Sequence, residues 1–285
     1  MIRHILSTSF RVGLFATLVV FSHCPPPVHK TKGIVAFVYT DLTVSINDET
    51  AKREKENIGK LFQNLPAESQ FYLFSIDRGT NKPSIYEFLP KLVDVKVASD
   101  QKLLAKQKIE IENLKQTTEF AKLKSSLDAY HSSISKDNGH VSCITNKLNS
   151  LADIIASTRS SYPDYDIRLY FYSDMIEDCQ NSFDGKLLRF DRDSDDRKEV
   201  VHLQDIQNRI EKNFEPARPD NNLKSMGTKV YIILTSQDDK QTLKSLKTIW
   251  NNLFGKLGLA PEDIKWTIGN EPYFWTLQAP NPPTT

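Results

Sequence analysis

The sequence predicts an α/β fold: a doubly wound, mostly parallel central sheet flanked by helices, with a long helical segment over residues 99–134. Three observations carry that expectation. Strand and helix signals alternate along the chain. The strongest strand segments are continuous apolar runs, as strands buried on both faces require. The segments between them repeat apolar residues at three- and four-residue steps, the period of a helix.

The first strand is Ile34-Val35-Ala36-Phe37-Val38-Tyr39-Thr40. Ile58, Leu61, Phe62 and Leu65 then share one helical face, and Pro66 closes that segment. Phe71-Tyr72-Leu73-Phe74-Ser75-Ile76 is the second strand, and residues 85–89 form a shorter one. From Ser99 to Ile134 the pattern is long, polar and helical, with Phe120, Leu123, Leu127, Tyr130 and Ile134 on one side. Two readings of it stay open: a helical insertion beside the ligand-binding face, or an elongated helix that covers the sheet. Asp137-Asn138-Gly139 breaks the run. The next helix buries Ile144, Leu148, Leu151, Ile155 and Thr158. Ile167-Arg168-Leu169-Tyr170-Phe171-Tyr172 is a strand followed by a polar loop. Leu203, Ile206, Ile210 and Phe214 mark another helix, and residues 216–222 a loop. Val230-Tyr231-Ile232-Ile233-Leu234 is a buried strand. Leu243, Leu246, Trp250, Leu253 and Leu257 define the last strong helix, before a final strand over 264–268. The proline- and threonine-rich tail, 279–285, is expected to be disordered.

Chemistry concentrates at two strand ends. The first strand runs into Asp41-Leu42-Thr43-Val44-Ser45, a carboxylate and two hydroxyls on one tight loop. The 167–172 strand ends in Ser173-Asp174. Open α/β sheets bind ligands at the carboxyl ends of their strands. Paired strand-end carboxylates with hydroxyls suit a hard divalent cation. The alternative is structural: Asp41 caps a helix beginning near Asn47, and Asp174 is a turn residue.

This order of elements and motifs resembles the von Willebrand factor A domain, a Rossmann-like fold, over most of residues 33–269. The family's metal-ion-dependent adhesion site begins Asp-x-Ser-x-Ser, and here Thr43 keeps the first hydroxyl. Its second element is a threonine ahead of a helix, for which Ser142 is the nearest match and Thr145 the alternative. The third is an aspartate after the later strand, matched by Asp174, although Met175 stands where many members have glycine. The resemblance implies that Thr43 and Ser45 bind the metal directly, with Asp41 and Asp174 bound directly or through water. It implies Mg²⁺, replaceable by Mn²⁺ or Ca²⁺, and a protein partner whose acidic residue completes the coordination shell. That is binding, not catalysis. A scaffolding domain with a degenerate metal site comes second, and a metal-dependent hydrolase third.

The remaining signals bound the function. With Lys+Arg 37 against Asp+Glu 36 and a net charge of +1, nothing favours nucleic acid. Residues 1–24 read as a signal peptide: Arg3, His4 and Arg11 precede the apolar core 12–21, too short to span a bilayer. Export to the cell envelope follows. Either Cys24 is a lipidation site, which makes the membrane contact a lipid anchor, or it is an ordinary thiol after cleavage. Residues 25–32, with Pro25-Pro26-Pro27, form a stiff linker to one domain over 33–278. If Cys24 carries lipid, Cys143 and Cys179 are left as a candidate disulfide in an oxidising compartment. Asp191-Arg192-Asp193-Ser194-Asp195 begins like a calcium loop, but Asp196 stands at its glycine position and His202 at its glutamate position. His140 and Cys143 have a zinc-like spacing without a second pair. No hydrolase elbow, phosphate loop, dinucleotide fingerprint or zincin motif is present.

Overall fold

The computed structural model of the chain describes residues 33–41, 48–77, 84–90, 101–134, 142–180, 187–189, 196–214, 222–235 and 240–268. The signal-peptide, linker and tail segments, the loop carrying Thr43 and Ser45, the Asp137-Asn138-Gly139 break, residues 216–221 and the 191–195 motif lie outside them.

The fold is α/β, built on a mostly parallel sheet of six strands. They are β1 (Ile34–Thr40), β2 (Gln70–Ser75), β3 (Tyr86–Phe88), β4 (Asp166–Ser173), β7 (Lys229–Leu234) and β8 (Ile264–Ile268), in the spatial order β3-β2-β1-β4-β7-β8. Within this sheet, among the described residues, only the β2–β3 pair is antiparallel. After β4 the chain forms a small antiparallel hairpin, β5 (Asp178–Gln180) with β6 (Leu187–Arg189), where the sequence suggests a loop. Strands of three residues are too short to impose a readable period.

The helices are α1 (Asp48–Asn64), α2 (Gln101–Leu114), α3 (Phe120–Ile134), α4 (Ile144–Ser161), α5 (Asp196–Asn213) and α6 (Lys240–Lys256). They cover two separate faces, because successive strand side chains point to opposite sides of a sheet. Ile34, Ala36 and Val38 of β1 pack with Ile58 and Phe62 of α1 and Leu123 and Leu127 of α3. Val35, Phe37 and Tyr39 face the other way, onto a core that contains Leu148 of α4, Ile206 of α5 and Trp250 of α6. All seven residues of β1 are buried, in keeping with a sequence that is apolar up to Thr40.

A π-helical turn, Lys115–Glu119, joins α2 to α3 in one run. The two halves behave differently. Leu123, Leu127 and Ile134 of α3 are buried in the core. None of the described side chains of α2 is buried, and Leu103, Ile109 and Leu114 are exposed. The long segment therefore covers the sheet with its second half only. At the junction, the ammonium of buried Lys115 donates to the carbonyl of Leu65, just past the end of α1, and to Glu112. That contact satisfies one of the carbonyls a helix leaves open at its C-terminus. Among the described residues, no helix is long and apolar enough to cross a membrane.

Candidate functional site

Strand order reverses direction between β1 and β4. The chain moves from β1 outward to β2 and β3, then returns to β4 and moves outward the other way to β7 and β8. Open α/β sheets bind ligands in the crevice at such a switch point, outside the carboxyl ends of the strands. Register places Thr40 of β1 level with Ser75 of β2 and Tyr172 of β4, and Ser173 level with Leu234 of β7. Asp41 and Asp174 are the next residues along β1 and β4.

Asp41 is fully buried. Its backbone N–H donates to the carbonyl of Tyr172 at 2.9 Å, which continues the β1–β4 ladder by one rung and fixes the residue. Its carboxylate Oδ2 accepts two hydroxyl hydrogen bonds, from Ser142 ahead of α4 at 2.7 Å and from Ser173 at the end of β4 at 2.9 Å. A buried carboxylate needs such donors, because desolvation without them is costly. Asp174 is half-buried, and its Oδ1 accepts the N–H of Ile176 at 2.9 Å.

Met175 follows with φ 63°, in the left-handed region that glycine enters without penalty. The strain is held from three sides. Its N–H donates to Ser173 Oγ at 2.9 Å, its carbonyl accepts the Trp250 indole N–H at 2.9 Å, and its side chain is buried in the core. The backbone thus takes a glycine-like turn at this position with a methionine in place.

Ser142 and Thr145, the two candidates for the second motif, part company. Ser142 meets Asp41. Thr145 faces Glu177, which is buried on the loop after β4: Oε1 accepts the Thr145 hydroxyl at 3.0 Å, and Oε2 accepts the N–H groups of Ile144 at 2.6 Å and Thr145 at 3.0 Å. A carboxylate at that point satisfies open N–H groups of α4 and complements its dipole. Burial nevertheless pushes the Glu177 carboxyl up, from its ordinary 4.5 to about 8, against the pull of those donors.

Two further acids sit at this end of the sheet. Glu54 of α1 is buried, with Oε1 accepting the Thr40 hydroxyl at 2.5 Å. Burial raises its pKa well above the usual carboxylate range, and the nearby charges of Asp41 and Asp174 push the same way. Asp77, beyond β2, accepts from Ser75 Oγ at 2.9 Å and lies 3.8 Å from the ammonium of Lys147 on α4. Sequence reasoning singled out none of Glu54, Asp77 and Glu177. A signal for Glu54 was available: it falls in the stripe Ala51, Glu54, Ile58, Leu61, Leu65, so a helix burying that stripe buries the acid. Nothing comparable marks Glu177, whose role exists only once two distant loops meet.

Among the described residues, no three Asp, Glu, His or Cys side chains converge closely enough to hold a metal ion. Thr43 and Ser45, the hydroxyls expected to do so with Asp41, fall outside those residues. Cys143, buried just before α4, is disulfide-bonded. The side chain of Cys179 and all of Cys24 lie outside the described residues.

No family model and no curated protein matches the chain. Among solved structures, the chain is similar to the human COPII-coat protein Sec24c, with 10% identity and a TM-score of 0.42. That similarity covers 83% of this chain but 29% of the length of the other.

Proposed function

We propose that the chain is a von Willebrand factor A-like domain of an exported protein, which binds a protein partner through a hard divalent cation at the carboxyl ends of β1 and β4. One observation carries the reading. Asp41, fully buried at the switch point, takes the hydroxyls of Ser142 and Ser173 on one oxygen, and Asp174 follows the neighbouring strand.

The donor chemistry fits a hard cation, since carboxylates and hydroxyls are all oxygen ligands. Mg²⁺ is held by one or two carboxylates and keeps several waters, and Mn²⁺ and Ca²⁺ share its taste for oxygen. Asp41 and Asp174 would supply the carboxylates, Ser142 a hydroxyl, and Thr43 and Ser45 the hydroxyls from the loop beyond β1. Bound there, the cation would offer an open coordination position to a partner's carboxylate. The chain's own residues set up that position. Ser142 and Ser173 orient Asp41, while Ser173 and Trp250 hold the turn after Asp174. Burial, with the neighbouring charges of Asp41 and Asp174, raises the pKa of Glu54 beside these two acids.

Export, lipidation of Cys24 and a Cys143–Cys179 disulfide belong to the same reading. The Glu177 bond to Ile144 supports the disulfide, because it draws the backbone beside residue 143 toward the strand that contains residue 179. A second reading is a scaffolding domain with a degenerate cation site, in which the Ser142 and Ser173 hydroxyls serve only to satisfy the buried Asp41 carboxylate.

Calorimetric titration of Mg²⁺ and Mn²⁺ into the Thr31–Thr285 unit, wild type beside Asp41→Asn, separates the two. A single site lost in a variant that still melts cooperatively is the expected result. No heat from the folded wild type would leave the scaffold reading.

A further inference from the structure

On the helix-covered surface, α1 and α3 run antiparallel. Two contacts fix this. Lys55 Nζ pairs with Asp128 Oδ1 at 2.7 Å, and Gly59 meets Phe120 so closely that an added Cβ would lie 2.8 Å from the ring's Cε2. Between these contacts lies an open cavity of about 210 Å³. Its floor is apolar, made by Gly59, Phe120, Leu123 and Leu127. Its rim is charged, with Lys52, Lys55 and Lys124 against Glu56 and Asp128. Lys55 is engaged by Asp128, whereas Lys52 and Lys124 are exposed.

Size and charge together select the occupant. An engineered apolar cavity of about 150 Å³ takes a benzene ring, so this one holds a single aromatic or leucine-sized group. It falls short of the roughly 300–1,000 Å³ typical of pockets that enclose whole small ligands. The rim's lysines outnumber its acids three to two, which favours anions flanking that group. Interfaces concentrate affinity in just such an arrangement, a large apolar side chain in a pocket with a charged rim.

We propose that this groove docks an acidic segment of a partner protein, in which one large apolar side chain lies between carboxylates. The groove is built from helix side chains alone and works with or without a cation at Asp41. Its occupant would dock on α1, the helix that follows the Asp41 loop, so one partner could engage both places.

The test is fluorescence anisotropy of a labelled Glu-Glu-Phe-Glu-Glu peptide titrated with the full chain, in the presence of EDTA. The expected result is saturable binding that weakens at least about tenfold when the peptide's Phe becomes Ala. It also weakens at least about tenfold in a Lys52→Glu, Lys124→Glu double variant, whose exposed positions leave the fold intact by circular dichroism. Three results would each overturn the proposal: no binding by the folded chain, equal binding of the Ala peptide, or equal binding by the double variant. Binding restored only by adding Mg²⁺ would place the peptide at the cation site and overturn it too.

Discussion

Met175 sets two opposing effects against each other at a single residue. Its left-handed backbone costs about 1–2 kcal/mol relative to glycine, which argues that Met175→Gly would stabilise. Its side chain, however, is fully buried, and truncating a buried methionine costs about 2–5 kcal/mol. Burial wins, so Met175→Gly is expected to lose roughly 2 kcal/mol in urea unfolding. A more stable variant would mean that the turn, not the packing, dominates there. Glu177 makes a prediction about pH. Between its ordinary 4.5 and the raised value of about 8, the unfolded chain has released this proton and the folded chain keeps it. The folded state therefore binds more protons, and stability falls as pH rises through that window, by up to about 1.4 kcal/mol per unit. Glu54 is raised as well and contributes in the same direction. Glu177→Gln should flatten the slope measured by unfolding of metal-free protein across that range. An unchanged slope would assign the effect to Glu54.

Helices show how one substitution changes sign with its surroundings. Gly255, near the end of α6, has open space around a built Cβ, while at Gly59 of α1 the same atom lies 2.8 Å from Phe120. Alanine gains about 1 kcal/mol over glycine in a helix interior. Displacing a packed ring costs about 1–3 kcal/mol. Gly255→Ala should thus raise the melting temperature and Gly59→Ala lower it; the reverse order would show that α1 and α3 slide apart freely. Which elements the sequence made legible follows from length and burial. β1, β4 and β7 are buried on both faces and spell it in largely apolar runs, broken in β4 by Arg168, and α1, α3, α4 and α6 are long enough for their period to show. The β5–β6 hairpin, at three residues a strand, carries no period. The π-turn was hidden too, since nothing in Lys-Gln-Thr-Thr-Glu departs from a helical pattern. At the candidate site, Asp41 and Asp174 stood out because they follow strands, and Ser142, with Thr145 as its alternative, came from the family resemblance; the structure brings Ser142 to Asp41. Ser173 was quoted only as part of a strand end, and its bond to Asp41 could not be read. The burial of Glu54 was readable from the apolar stripe of α1, though its bond to Thr40 was not, and Glu177 was not readable because its contacts exist only once two distant loops meet.

At the scale of the whole molecule, the switch point between β1 and β4 gathers Asp41, Glu54, Asp174 and their hydroxyl partners at one end of the sheet. Two of these groups are held by the ladder itself, through Asp41 N–H to Tyr172 and through the register of Ser173 with Leu234. The proposed role of this arrangement is to hold a hard cation. Anomalous diffraction from crystals grown with Mn²⁺ tests it most directly. One peak is expected within bonding distance of an Asp41 or Ser142 oxygen, or one water removed from it, and it should be lost in Asp41→Asn crystals. A well-ordered wild-type crystal with no peak at the ends of β1 and β4, or with Mn²⁺ bound only elsewhere, would contradict it.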